Sequence, residues 1–311
     1  MSQKPYSLAE YNRRSKQAED IHQSLVKAYE TSRIYIQMQL MQSASFDIEN
    51  TDKLRTRNEQ LLLNINNALD KLKEYENQNL PQLLLERHSL GKYWALFNLQ
   101  QSGIVLPDTS QRFTKIDEYA ISNVVNQTMQ SMEAARAGVI SNATYNMQTT
   151  LNEAVLRNLI TGKSLKDSGP ELAELLKAKG IDSITKKNGV QMDLVEYAKS
   201  KLHQGVMVAH NKGTEAMLLD EEIYFVTYTT HKTECETCKK EVFSGGKKVV
   251  YSIHPDITEL EDGRKVKYLG NTKGGSGQIH FKCRHVLVPF VVEFEDPDNF
   301  ATTGKDEKEE E

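Results

Sequence analysis

The sequence predicts an α+β protein: a long N-terminal helical domain followed by a small mixed α/β C-terminal domain with a zinc-knuckle-like Cys3His site. Three observations carry this expectation. Apolar residues recur at helical spacing through the first half of the 311-residue chain. Near Ile223 the texture changes to short β-branched and aromatic runs. All three cysteines fall in that second texture, Cys235 and Cys238 as a Cys-x-x-Cys and Cys283 within His280-Phe-Lys-Cys283-Arg284-His285. The expected division is a helical domain over 1–165, an α+β domain stapled by a metal over 166–294, and a disordered acidic tail over 295–311.

Ser7 is placed to cap the first helix, with Glu10 completing a capping box. Ile21, Leu25, Ala28, Tyr29 and Ile36 then keep one stripe. A second helix begins near Thr51 and carries Leu54, Leu61, Ile65, Leu69 and Leu72. Asn79-Leu-Pro81 is expected to break it, because proline lacks an N–H and its ring collides with the preceding turn. Gln82 to Gln101, with Trp94, then forms a third helix ended by Ser102-Gly103.

A fourth helix runs from about Ile116 through Ile121, Val125, Met129, Met132, Ala135 and Val139, with the methionines as core filler. It continues, or breaks and restarts, through Leu151, Val155 and Leu159, and Gly162 is its stop. Pro170 opens a short helix closed by Gly180. Met192 to Asn211 is the next helix, with Leu194, Ala198, Leu202, Val206 and Ala209 inward and His203 and His210 in surface or packing roles.

Ile223–Tyr228, Lys248–Ile253 and Val286–Val292 read as strands, and Pro289 puts the last at an edge or a bulge. Gly245-Gly246 and Lys273–Gly277 read as loops. The second lacks the Gly-Lys-Ser/Thr ending of a phosphate-binding loop.

An apolar fraction of 38% and a mean hydropathy of -0.58 suit an elongated helical protein with a large surface. A net charge of -4 gives the whole chain no electrostatic case for nucleic acid. The charge is uneven, however. From His231 to His285 there are 11 Lys/Arg against 7 Asp/Glu, a net +4. Such a face is either simply solvated or able to meet a phosphate backbone or an acidic protein. Lys247, Lys248, Lys282 and Arg284 are the candidate contacts. The polar start shows no apolar core of the kind a secretory signal needs. No run approaches the roughly 18 apolar residues of a membrane span, so no membrane contact is expected. An odd number of cysteines argues for a reducing compartment and against a disulfide framework.

Thiolate and imidazole donors suit zinc, which prefers four tetrahedral ligands. Cys235 and Cys238 form one knuckle, and His280 and Cys283, three residues apart, form a second. His285 or His254 could replace His280 as the fourth ligand. Four protein ligands leave no open position for water, so the expected ion is structural rather than catalytic. A redox Cys-x-x-Cys would need a helix after it, and Lys-Lys-Glu-Val-Phe-Ser-Gly-Gly is too short for a good one.

These residues resemble the minor capsid, or head morphogenesis, proteins of tailed phages (Mu F-like minor head proteins). In that family a Cys-x-x-Cys is followed by His-Pro-x-Cys-Arg-His/Cys and a short apolar strand with proline. Here Thr230-His231, Cys235-Glu-Thr-Cys238 and His280-Phe-Lys-Cys283-Arg284-His285-Val-Leu-Val-Pro289 follow that order, with Phe281 where proline is common. Upstream, Gly189-Val-Gln-Met-Asp-Leu194-Val-Glu-Tyr197-Ala198 and Gly213 fit as well, so the likeness spans roughly Gly180 to Phe290. The resemblance implies a protein carried into the virion head during assembly in the host cytoplasm. Its implied role is head morphogenesis through binding of the portal protein. Scaffold or major capsid protein and double-stranded DNA, during packaging or ejection, are further candidate partners.

The family's C-terminal fold is distantly similar to ADP-ribosyltransferases, which opens an enzymatic alternative. Glu259-Leu-Glu261 matches its Glu-x-Glu turn only trivially, in a charged loop of a chain with 43 acidic residues, and no Ser-Thr-Ser strand accompanies it, so no enzyme activity is expected. A zinc-ribbon DNA-binding protein is the other alternative, and the overall negative charge weighs against it.

Overall fold

The computed structural model describes residues 6–44, 51–104, 106, 112–161, 183–185, 190–230, 235–272, 275, 279–280, 283–291 and 299–302. Long helices come first and a small strand-bearing region after, as the α+β expectation has it. The helices are α1 (Leu8–Ala44), α2 (Thr51–Gln101), α3 (Lys115–Thr161), α4 (Leu194–Asp220) and the short α5 (Glu236–Val242). The strands are β1 (Ser183–Thr185), β2 (Gln191–Asp193), β3 (Phe225–Tyr228), β4 (Phe243–Ser244), β5 (Lys247–Val249), β6 (Tyr251–Ser252), β7 (Lys267–Tyr268), β8 (Leu287–Pro289) and β9 (Phe300–Ala301). The chain forms two compact units. One gathers Met1–Ile21, Pro81–Gln127 and Leu202–Glu311, and the other gathers His22–Leu80 and Thr128–Lys201.

The described residues of the unit built from 22–80 and 128–201 are mainly helical. Leu25, Tyr29 and Ile36 of α1, Leu61, Ile65, Leu69 and Leu72 of α2, and Met132 and Val139 of α3 are its buried stripe. Inside it, Glu76 accepts from the Tyr29 hydroxyl and pairs with Arg136, and all three side chains are buried. β1 and β2 form a separate antiparallel pair, and Asn142 ties the pair to α3 by donating to the Ser183 carbonyl at 2.8 Å.

The other unit packs the end of α2 and the end of α4 against the small sheets. Leu96, Leu99, Met217 and Leu218 meet Val226, Tyr228, Val242, Tyr251 and Leu287 in one core. Residues 213–218 of α4 are all buried, which marks this stretch as a helix enclosed on every side. One sheet has the order β7-β6-β3-β8, with β3 antiparallel to both neighbours and β8 at the edge that Pro289 foretells. The second has the order β4-β5-β9. Gly245 and Gly246 join β4 to β5 with φ of 56° and 80°, the two positive values that a tight hairpin turn demands. In the helical part of this unit Asp117 accepts from Lys92 at 2.5 Å and lies 2.7 Å from His88 Nε2.

The structure corrects several expectations. Pro81 does not end a helix: α2 runs through it. An interior proline costs about 3 kcal/mol. Leu80, Leu83 and Leu84 beside it are fully buried, and each such side chain returns roughly 1.5–3 kcal/mol, so burial wins. The α3 pattern is one continuous helix to Thr161. Met192 lies in β2 rather than in a helix, and α4 continues past Asn211 to Asp220.

Lys248–Ile253 is not one strand. Val249, Val250 and Tyr251 are buried in succession, and the chain changes sheets at Val250, whose N–H donates to the Ala301 carbonyl at 3.2 Å. Phe300 and Ala301, read as tail, form β9 instead. Phe300 is buried with its ring 4.6 Å from that of Phe290, and that burial holds the segment to β5. At the N-terminus Ser7 caps α1 by accepting the Glu10 N–H at 3.2 Å, but the Glu10 carboxylate turns to Arg13 and Arg14. Gly162, Pro170 and Gly180 lie outside the described residues.

Candidate metal centre

Cys235 stands immediately before α5 and caps it, its sulfur accepting the Cys238 N–H at 3.5 Å. This turn is what a Cys-x-x-Cys knuckle consists of: one helical turn that brings two sulfurs to the same side. Cys238, one turn in, is buried against the core beside Tyr228 and Leu287. Opposite, the Cys283 N–H donates to the His280 carbonyl at 3.0 Å and closes a second turn.

The two turns face each other. His280 Nε2 lies 3.1 Å from Cys235 Sγ and 2.8 Å from Cys238 Sγ. Cys238 Sγ lies 3.9 Å from Cys283 Sγ, and Cys283 Sγ lies 3.2 Å from His285 Nδ1. Cys235, Cys238 and His280 thus form one triad, and Cys238, Cys283 and His285 a second, each with its donor atoms within 4.8 Å of one another. The donor set fits a soft tetrahedral cation. Two sulfurs at about 2.3 Å from one zinc ion sit about 3.8 Å apart, close to the Cys238–Cys283 separation.

The protonation chemistry agrees with that fit. The Cys238 N–H holds the exposed Cys235 thiol below its ordinary value. Burial pushes the Cys238 thiol up, and the neighbouring Cys283 sulfur pushes the same way. A second thiolate is therefore costly here without a cation, while a coordinated thiol loses its proton outright.

All four sequence-predicted ligands, Cys235, Cys238, His280 and Cys283, are brought together. His285, weighed as a substitute, joins the cluster from its buried side. His254 does not: its ring packs against Tyr224 at 5.4 Å and its Nδ1 accepts from the Asp256 N–H. Of the basic candidates, Arg284 is exposed directly beside Cys283, Lys247 is exposed on β5, and Lys248 is half-buried beside it. Lys282 lies outside the described residues. Sequence reading missed two α4 residues that hold the segment leading from the second turn into β8. His203 Nε2 lies 3.1 Å from the Cys283 carbonyl oxygen, and the buried Asn211 accepts the Leu287 N–H at 3.1 Å. Only their spacing, eight residues on one helix, could have hinted at a shared target.

The family model described as phage minor capsid protein 2 matches residues 32–310. The chain belongs to that family. No curated protein and no solved structure matches it. The clustered residues of this minor capsid protein all lie within the matched range, so the family likeness and the Cys/His geometry describe the same part of the chain. Membership in a capsid family makes the protein a component of the virion. Among the described residues no helix is long and apolar enough to cross a membrane.

Proposed function

We propose that this minor capsid protein acts in head morphogenesis by binding the portal protein, inside the virion head and, during assembly, in the host cytoplasm. On this reading a structural zinc ion is held by Cys235, Cys238, His280 and Cys283. The ion fixes the turn before α5 to the turn before β8, and so keeps a small domain with short strands rigid enough to dock. The observation that carries the reading is the convergence of three thiols and an imidazole contributed from opposite ends of a 49-residue stretch, Cys235 to Cys283. Strands of two to four residues bury little by themselves, and small domains of this kind commonly need a metal or a disulfide to hold them. The protein then works through its surfaces, without catalysis.

Arg284, Lys247, Lys248 and Lys282 are the residues that would touch DNA or an acidic partner. Scaffold and major capsid protein are further partners on the same reading.

Two experiments test it. Metal content by mass spectrometry should give one zinc per chain, lost in the Cys235→Ser/Cys238→Ser variant. Co-sedimentation of the purified protein with the portal protein of the same virus should succeed for the wild type and fail for that variant. A zinc-free, folded, reduced wild type sinks the metal assignment. Portal binding that is absent in the zinc-loaded protein sinks the partner.

A further inference from the structure

We propose that His203 of α4 is a positioning residue for the metal centre, orienting Cys283 through a hydrogen bond to its carbonyl oxygen. The inference rests on the metal reading above. A carbonyl can only accept, so the His203 Nε2 that lies 3.1 Å from it carries the proton and donates. The Cys283 N–H is already committed to the His280 carbonyl at 3.0 Å. Both peptide planes flanking the Cys283 α-carbon are therefore fixed, and the sulfur keeps only its side-chain torsion to settle.

The residues that follow are held as firmly. Val286 donates to Thr229 Oγ1 at 3.1 Å and accepts the Thr229 N–H at 2.9 Å, and Leu287 donates to Asn211 Oδ1 at 3.1 Å. His203 and Asn211 stand eight residues apart on α4, about 80° around the helix at 100° per residue, so one side of the helix grips both ends of this segment. The bond at Asn211 secures the entry to β8. The bond at His203 acts on the ligand residue itself. Cys283 is the one thiol that the second turn supplies, and a turn of its peptide plane would move that sulfur away from Cys238. Cys235 and Cys238, held by the α5 cap, would stay in place. Outer partners of this kind typically change metal affinity by about 10–100-fold.

The test compares full-length wild type with His203→Leu, which keeps bulk without a donor, and His203→Gln, which keeps a donor. Each is titrated with cobalt(II) and then with zinc against a chromophoric chelator, with helical circular dichroism as the folding control. The expected result is one equivalent bound in all three. His203→Leu should bind about 10–100-fold more weakly, with a weaker thiolate-to-cobalt charge-transfer band, and His203→Gln should recover most of both. Equal affinity and equal band intensity in wild type and His203→Leu would overturn the brace, as would equal weakening in Leu and Gln variants that both stay helical. A wild type that takes up neither metal overturns the metal reading as well, and so separates the two failures.

Discussion

Gly91 and Gly213 form a reciprocal pair where α2 crosses α4. A β-carbon on Gly91 would stand 2.8 Å from the His210 carbonyl carbon and closer still to its oxygen, and one on Gly213 would meet the His88 carbonyl in the same way. The two backbones touch there, and Thr214 Oγ1 bridges the crossing by donating to the Gly91 carbonyl at 3.1 Å. Alanine ordinarily favours a helix by up to about 1 kcal/mol over glycine. At this crossing the neighbour is backbone, which cannot rotate aside, so Gly91→Ala and Gly213→Ala should each destabilise by about 1–3 kcal/mol or more. Gly138→Ala, whose new atom would meet only Ile184 Cγ2 at 3.4 Å, should be neutral or stabilising. Chemical denaturation of the three variants checks the sign.

If the cluster holds a metal ion as proposed, two histidines compete for its fourth position. His280 Nε2 lies within 3.1 Å of both sulfurs of the first turn, whereas His285 Nδ1 lies 3.2 Å from the Cys283 sulfur of the second. His280→Ala should therefore lose more metal affinity than His285→Ala, whose loss should stay within about 10–100-fold. Zinc competition measurements decide, and the reverse order would make His285 the ligand.

Stability should fall on the acid side in two steps. Burial, reinforced by the Arg87 charge, holds the folded-state value of His210 at about 3 against an ordinary 6.5. The unfolded chain therefore takes up a proton below 6.5 that the folded chain refuses until about 3. The folded state loses up to about 1.4 kcal/mol per pH unit across that window. Burial pushes the Asp117 carboxyl up, but the hydrogen bonds from His88, Lys92 and Thr114 outweigh it and hold it at about 2. Its contribution is present above the ordinary 3.8 and lost as pH falls toward 2. Denaturation midpoints at pH 7, 5 and 4 should decline for the wild type, and the decline above pH 4 should be shallower in His210→Gln.

The buried Glu76–Arg136 pair should matter far more than the exposed Glu10–Arg13 pair. Glu76→Ala strands a buried guanidinium and should cost about 3–5 kcal/mol. Glu10→Ala should leave the denaturation midpoint almost unchanged as far as the ion pair is concerned, because water screens it. A double variant, Glu76→Leu/Arg136→Leu, should recover much of the loss seen in Glu76→Ala.

Phe300→Ala should loosen the β5–β9 edge. Burial of the Phe300 ring against Phe290 is what holds the last strand, and truncation of such a ring costs about 3–5 kcal/mol. Hydrogen exchange at Val250, whose N–H bonds to Ala301, should speed up while exchange in β1 and β2 stays unchanged.

These expectations differ in how far the sequence alone could reach them. The apolar stripe from Leu61 to Leu72 and the two cysteine turns were legible because their periodicity and spacing are local. The course of α2 through Pro81 was not, since it depends on leucines buried by other segments. Nor could Val250 reveal that it changes sheets, because that depends on Ala301, 51 residues later. His203 looked like an ordinary helix-face residue for the same reason: its target lies 80 residues ahead.

The division of the chain into interleaved pieces also orders its synthesis. The unit of 22–80 and 128–201 has all its residues once Lys201 is made. The other needs Met1–Ile21 and Pro81–Gln127 to wait for a last piece that runs from Leu202 to Glu311, about a third of the chain. A chain made as far as Lys201 therefore holds every residue of one unit, together with apolar helix ends of the other whose partners have not yet emerged. A stalled or prematurely terminated copy would expose Leu96, Leu99 and the Gly91 surface, a nascent state suited to capture by a chaperone or a protease.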